Sequence, residues 1–329
     1  MNNHNTVPRP PSTSPLAPSP SSPYRGRFAP SPTGPLHFGS LIAAVGSYLQ
    51  ARHQDGQWWL RIEDIDPPRE VEGAAGAIIG LLAAYGFEWD DLSYQSRRQS
   101  LYVEALAQLE HQHLTYPCIC TRRQLREQPP RSDGTRVYPG TCRWRRFPCR
   151  ERHAIRLRTT DTVIEFTDRL QGTQVCELEK EVGDFVLRRA DGYISYQLAV
   201  ALDDAEQGMT EVVRGCDLLD STPRQIHVQQ QLGLRSPDYA HLPVVLGPDG
   251  QKLSKQTGAQ PLDPGQPVLP LVSAMQFLGH PVPEEIQHGS LQGFWDWAID
   301  NWSPDRIPAS DTGCHEPNTP VPAPTGGNE

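Results

Sequence analysis

The chain has 329 residues, a formal net charge of −9 and 33 prolines. That length can bury one large core or two modest ones. The acidic balance gives no general sign of nucleic-acid binding, and without an 18-residue apolar run no membrane-spanning helix is expected.

The distribution of charge says more than its sum. Lysine occurs only at Lys180, Lys252 and Lys255, whereas twelve arginines fall between Arg122 and Arg158 against Glu127, Asp133 and Glu151. A local basic patch on an acidic chain fits a selective polyanion binder, and an ordinary solvated surface rich in arginine would look the same. Seven cysteines, three of them clustered, suggest a metal site in a cytosolic protein rather than a disulfide framework. The N-terminus shows no apolar core of a signal peptide, so a cytoplasmic location is expected.

In chain order, residues 1–23 are rich in Pro, Ser and Asn and read as a disordered tail. A first strand ends near Phe28 and Ala29, stopped by Pro30 and Pro32. Gly34, His37 and Gly39 follow, and a helix is predicted from about Ser40, as its cap, to His53. Strand, tight loop and helix N-terminus form an arrangement suited to phosphate, and ATP is the expected ligand. Trp58–Ile62 reads as a buried strand ending in Glu63, Asp64 and Asp66. Acidic groups at the carboxyl end of a parallel strand sit where α/β sheets bind ligands. Residues 70–86 and 97–114 read as helices, with Gly86 closing the first. The order argues for an α/β, doubly wound parallel sheet.

Cys118-Ile-Cys120 and Cys142 then supply three ligands of a four-ligand zinc set. Cys149, His153 and Tyr138 are candidates for the fourth, chemistry alone favours Cys149 or His153, and three buried cysteines without metal remain an alternative. Alternating apolar residues over 154–182 predict a small antiparallel β-rich insertion. Strand and helix return over 184–199. A strand begins at Thr210, a helix runs from Thr222 as cap through Pro223 to Leu232, and a strand spans His241–Leu246. The loop Gln251-Lys252-Leu253-Ser254-Lys255-Gln256 holds two of the three lysines. Lysine is a compact, flexible point charge suited to following phosphate through a reaction. Residues 268–302 have room for two or three helices, and 303–329 read as a second disordered tail.

Arg27-Phe-Ala-Pro-Ser-Pro-Thr-Gly-Pro-Leu-His37, with Lys252–Gln256, resembles the two signatures of class I aminoacyl-tRNA synthetases, in the form that glutamyl-tRNA synthetases use. His37-Phe-Gly-Ser40, Arg61-Ile-Glu-Asp-x-Asp66, the Cys-x-Cys…Tyr-x-x-x-Cys cluster and the early stop after the lysine loop are similar to the short glutamyl-Q tRNA(Asp) synthetases. The resemblance covers about residues 24–300. Ser40, Leu253 and Gln256 depart from the general class I pattern.

The resemblance implies activation of L-glutamate with ATP, helped by Mg2+ and without tRNA. Transfer to the queuosine base in the anticodon of tRNA(Asp) follows, in a monomer with no anticodon-binding domain. Arg27 and Arg214 suit the two carboxylates, because a guanidinium binds carboxylate bidentately, and Glu63 suits the ammonium. The glutamate positions implied are Arg27, Phe28, Ala29, Pro30, Ser31, Glu63, Tyr196 and Arg214. Those for ATP are His37, Gly39, Ser40, Lys252, Ser254 and Lys255, with His37 and Lys255 catalytic. The structural zinc ligands implied are Cys118, Cys120, Tyr138 and Cys142, which leaves Cys149 a free thiol. The implied domains are halves of a nucleotide-binding unit over 24–115 and 183–260, a zinc-containing insertion over 116–182 and a helical part over 261–302. Competing readings are a discriminating glutamyl-tRNA synthetase charging the terminal adenosine, and a non-enzymatic RNA-binding relative.

Overall fold

The computed structural model describes residues 23–130, 136–145, 152–245 and 260–308. Strand β1 (Arg25–Phe28) leads through the proline loop into helix α1 (Phe38–His53), and β2 (Gln57–Ile62) returns parallel to β1. Gly34, at φ +130°, takes a backbone conformation that an L side chain rarely adopts, which allows the turn between two prolines. Helix α2 (Ala74–Ala84) follows, then β3 (Asp91–Tyr94), α3 (Gln99–His111), β4 (Thr115–Cys118) and α4 (Arg122–Arg126). Next come β5 (Ala154–Leu157), β6 (Val163–Asp168), β7 (Gly172–Glu177), α5 (Leu178–Glu181) and β8 (Phe185–Arg188). Helix α6 (Tyr196–Glu206), β9 (Glu211–Gly215), α7 (Thr222–Leu232) and β10 (Asp238–Leu242) complete the α/β part. Helices α8 (Val268–Phe277), α9 (Glu284–Gln287) and α10 (Leu291–Asp300) close the described chain.

The sheets are mixed rather than one doubly wound parallel sheet. β1-β2-β3 is parallel, β7-β6-β10-β9 mixes a hairpin with two parallel strands, and β4-β5-β8 is antiparallel. Thr210 N donates to Arg25 O at 2.9 Å, which sets β9 beside β1. The antiparallel β structure expected over 154–182 is present, but its strands are shared between two sheets.

The main core lies between α1, β1, β2 and the C-terminal helices. Tyr48, Trp58, Phe87 and Trp295 pack there with ring centroids 4.8–5.6 Å apart. Each buried aromatic of this kind contributes large apolar area, and Trp295 Nε1 finds Tyr85 O at 2.9 Å. The C-terminal helices therefore brace the back of the helix that carries the first motif. Among the described residues no helix is long and apolar enough to cross a membrane.

Several boundaries differ from the sequence expectation. α1 starts two residues early because His37, not Ser40, is the cap: its Nδ1 accepts from Ser40 N at 3.3 Å. α2 starts at Ala74, since Pro67–Arg69 form a 3₁₀ turn and Gly73 is left-handed. β9 ends at Gly215 and yields to a 3₁₀ turn, Cys216–Ser221. Thr222 is the first helical residue rather than the cap, because its hydroxyl is held by Arg214. The strand expected over 241–246 runs from Asp238 to Leu242 instead.

Candidate active site

A cavity of about 610 Å³ opens where β1, β2 and β9 end and α1 and α6 begin. Arg27, Phe28, Ala29, Pro30, Ser31, His37, Gly39, Ser40, Glu63, Tyr196 and Arg214 all line it. Every described glutamate or ATP position expected from the sequence is thus in one place. Lys252, Ser254 and Lys255 lie outside the described residues. The chain on either side of their segment reaches the cavity, however. Val245 lines it, and Pro261 forms a β-bridge with His37.

His37 sits at the helix start by its own hydrogen bond. Because Nδ1 accepts the Ser40 N–H, the neutral ring carries its proton on Nε2, as a donor. The first turn of the 16-residue α1 adds backbone N–H groups and the positive end of the dipole. This end of the cavity suits phosphate.

The other end is a buried charge cluster. Arg27 is 3% exposed, and its Nε and Nη2 donate to Asp204 at 3.1 and 3.2 Å. Arg61, wholly buried, gives Nη2 to the same carboxylate at 2.7 Å and Nη1 to Gln207 at 2.8 Å. Burial opposes the ionisation of Asp204, but Arg27 and Arg61 hold its carboxyl down to about 2. Glu63 is different. It has Arg61 at 3.8 Å, and burial pushes its carboxyl up to about 7 against the pull of Arg61 and Arg27. A buried carboxylate so weakly compensated suits a cationic ligand group.

Arg214 is pinned more fully. Nε donates to His241 Nε2 at 3.0 Å, Nη1 to Gln225 at 2.9 Å and Nη2 to Thr222 at 2.8 Å. Its longest bonds, to the Tyr196 hydroxyl (3.3 Å) and Leu218 O (3.4 Å), are the ones a ligand carboxylate would replace. Sequence reasoning missed Asp203, Asp204, Asp168 and His241, which brace Arg61, Arg27 and, through His241, Arg214, and it gave Arg61 a place in a motif but no role. Thr33, Arg69 and Asp217, which line the cavity, were missed too. Two adjacent acids inside the apolar helix Tyr196–Glu206 were the available signal for Asp203 and Asp204.

A separate cluster lies at the end of β4. Cys118, Cys120 and Cys142 place their Sγ atoms within 4.8 Å of one another. The Tyr138 hydroxyl is 3.4 Å from Cys118 Sγ and 3.7 Å from Cys120 Sγ. Zinc–sulfur bonds of about 2.3 Å put tetrahedral sulfurs about 3.8 Å apart, so the donor set fits zinc. Burial opposes a thiolate at Cys118, yet Tyr138 and Arg156 bring it below its ordinary value; burial pushes Cys120 up to about 11. His153 does not join the group, and Cys149 lies outside the described residues. Gly183 bridges to Tyr138 at φ +67°, and a Cβ there would come 2.7 Å from Tyr138 O, so only glycine lets the backbones meet. Purified protein should carry about one zinc per chain, and Cys142→Ser should lose it with a lower unfolding temperature. Elemental analysis showing no zinc in the wild type, or full zinc in the variant, would rule this ligand set out.

The family model for class I tRNA synthetases (E and Q), catalytic domain, matches residues 24–288. The glutamyl-Q tRNA(Asp) synthetase of Dechloromonas aromatica is 53% identical over 291 residues, 88% of this chain and 97% of the relative. The chain belongs to the class I tRNA synthetases of the E and Q type, with the glutamyl-Q tRNA(Asp) synthetases. The class I synthetase of the same name from Chromobacterium violaceum is 52% identical, over 87% of this chain and 96% of its own length. Among solved structures, a glutamate tRNA ligase from Elizabethkingia meningosepticum in complex with its amino acid superposes with a TM-score of 0.73 at 25% identity. That likeness covers 92% of this chain and 68% of the ligase. As a class I synthetase the protein is an ATP-dependent ligase.

Proposed function

We propose that the protein joins L-glutamate to ATP without tRNA, forming glutamyl-adenylate and pyrophosphate. It then passes the glutamyl group to the queuosine base in the anticodon of tRNA(Asp). The observation that carries this reading is the convergence of Glu63, Arg27, Arg214 and Tyr196 on the cavity that also holds the His37 helix end. Ammonium on Glu63 and carboxylate on the arginines would fix the amino acid in one orientation. The α-carboxylate then faces the α-phosphate at the start of α1. No covalent step falls on the protein. Placement and electrostatic stabilisation of the phosphates carry the rate. His37 Nε2–H donates to phosphate. Lys252, Ser254 and Lys255 are assigned to the pyrophosphate side, with Mg2+ supplying further charge. Zinc, held by Cys118, Cys120, Tyr138 and Cys142, would staple the arginine-rich segment and take no part in the chemistry.

The names and coverage of the relatives support the tRNA target. The alignment spans 97% of a glutamyl-Q tRNA(Asp) synthetase but 68% of the glutamate tRNA ligase. Exposed Arg122, Arg123, Arg126, Arg136 and Arg145 are the assigned contacts for its phosphates. A monomer acting in the cytoplasm is part of this proposal. The test is ATP–pyrophosphate exchange with no tRNA present. Exchange that depends on L-glutamate is expected. Exchange that appears only on adding tRNA would remove the tRNA-independent step, and none under either condition would favour an RNA-binding relative.

A further inference from the structure

Asp168 and His241 do not line the cavity, yet both are tied to Arg214. Asp168 is 1% exposed at the end of β6, and His241 is fully buried on β10, beside Arg214 on β9. His241 Nδ1 lies 2.6 Å from Asp168 Oδ2, while Nε2 takes the Arg214 Nε–H at 3.0 Å. A guanidinium has only donors, so Nε2 is the unprotonated nitrogen and Nδ1 carries the proton. Asp168 selects that tautomer.

The consequence lies in the charge. Arg27 is paired directly with a carboxylate, Asp204. The hydrogen-bond partners of Arg214 among the described residues are His241, Tyr196, Gln225, Leu218 O and Thr222, and its guanidinium lies 5.6 Å from the Tyr239 ring centroid; all are neutral. The nearest negative charge along this chain of bonds stands one imidazole behind. We propose that Asp168 and His241 are a positioning pair, which orients the Arg214 guanidinium through a neutral ring and leaves its charge for a substrate carboxylate. This rests on reading the cavity as a glutamate site.

A merely structural pair would tie β6 to β10 and nothing more. Asp168 Oδ1 does have such a role, accepting from the backbone N–H of Leu170, Gln171 and His241 at 2.9–3.1 Å. Asp168→Asn separates the two roles. Its amide oxygen can keep those three bonds. Its NH2, in the place of Oδ2, can only donate, so the His241 proton moves to Nε2 and confronts the Arg214 Nε–H.

The experiment is glutamate-dependent exchange by full-length D168N, with nitrogen NMR of the histidine tautomers and thermal unfolding. D168N should raise KM for glutamate by about tenfold or more, with kcat and KM for ATP within about twofold of wild type. His241→Gln, whose amide can accept from Arg214 and donate to Asp168, should recover most of the affinity that His241→Met loses. If D168N does not fold, this second pair decides alone. A tautomer shift with unchanged KM for glutamate overturns the proposal. So does an equal rise in KM for glutamate and ATP, or equal behaviour of H241Q and H241M. Wild-type protein without glutamate-dependent exchange would instead defeat the glutamate reading itself, and this role with it.

Discussion

Glu63→Gln should cost the protein its glutamate activation and yet make it more stable at pH 8. The loss of a buried charge partner for the ammonium is worth about 1.5–3 kcal/mol, roughly ten- to hundredfold in kcat/KM for glutamate. The gain in stability comes from the same property. Burial lifts the Glu63 carboxyl to about 7 in the folded chain, above the ordinary value of about 4.5. A raised acid stabilises the fold below its unfolded pKa, and that stabilisation is lost as pH rises through 7. At pH 8 the wild type therefore carries a buried carboxylate that the amide lacks. The variant should be more stable by about 1–3 kcal/mol at pH 8, with a smaller difference at pH 5. KM of the wild type for glutamate should rise as pH falls below 7, when the partner of the ammonium is protonated. Denaturant unfolding at the two pH values checks the first claim. A variant less stable than wild type at pH 8 would mean that Arg61 and Arg27 need the charge more than burial opposes it.

Asp204→Ala should be among the most destabilising single changes in the chain. Asp204 accepts from Arg27 and Arg61 together, and both arginines are buried. Removing one partner of a buried charge group leaves the others uncompensated, at a cost of about 3–5 kcal/mol. For a domain of this size that is a fall of roughly 10 °C in unfolding temperature. The Asp204 carboxyl is held down to about 2, so its own contribution is lost only in strong acid. The penalty should be largest near pH 5 and shrink above pH 7, where Glu63, freed of its acidic neighbour, ionises beside the two arginines. KM for glutamate should rise as well, since Arg27 loses its bidentate anchor. A loss under about 1 kcal/mol would mean that water replaces the carboxylate without penalty.

These two residues mark how far the sequence could be read. Glu63 was legible because it ends an apolar strand, a position that α/β sheets use for ligands. Asp204 was not, since its partners on β1 and β2 are 177 and 143 residues away in the chain. The proline- and glycine-rich stretch from Arg27 to Ser40 declared its loop through backbone restrictions that act locally. Its cap was misplaced because serine is the common helix cap, whereas here the His37 ring takes the Ser40 N–H. β3 was missed because Asp-Leu-Ser-Tyr is short and polar, and only its pairing with β2 makes it a strand. The mixed sheets were hidden for a related reason. Alternation over 154–182 shows that strands exist, but their partners, β4, β8 and β10, are fixed by tertiary contacts. Cys118, Cys120 and Cys142 were readable from spacing alone. Tyr138 was settled by neither spacing nor common zinc chemistry.

The most direct measurement is transfer of labelled glutamate to tRNA(Asp) with and without queuosine, each also trimmed of its terminal adenosine. Label should enter queuosine-containing tRNA whether or not the terminal adenosine is present, and should not enter tRNA that lacks queuosine. Label that requires the terminal adenosine and ignores queuosine would contradict this account, and would make the protein a glutamyl-tRNA synthetase of the ordinary kind.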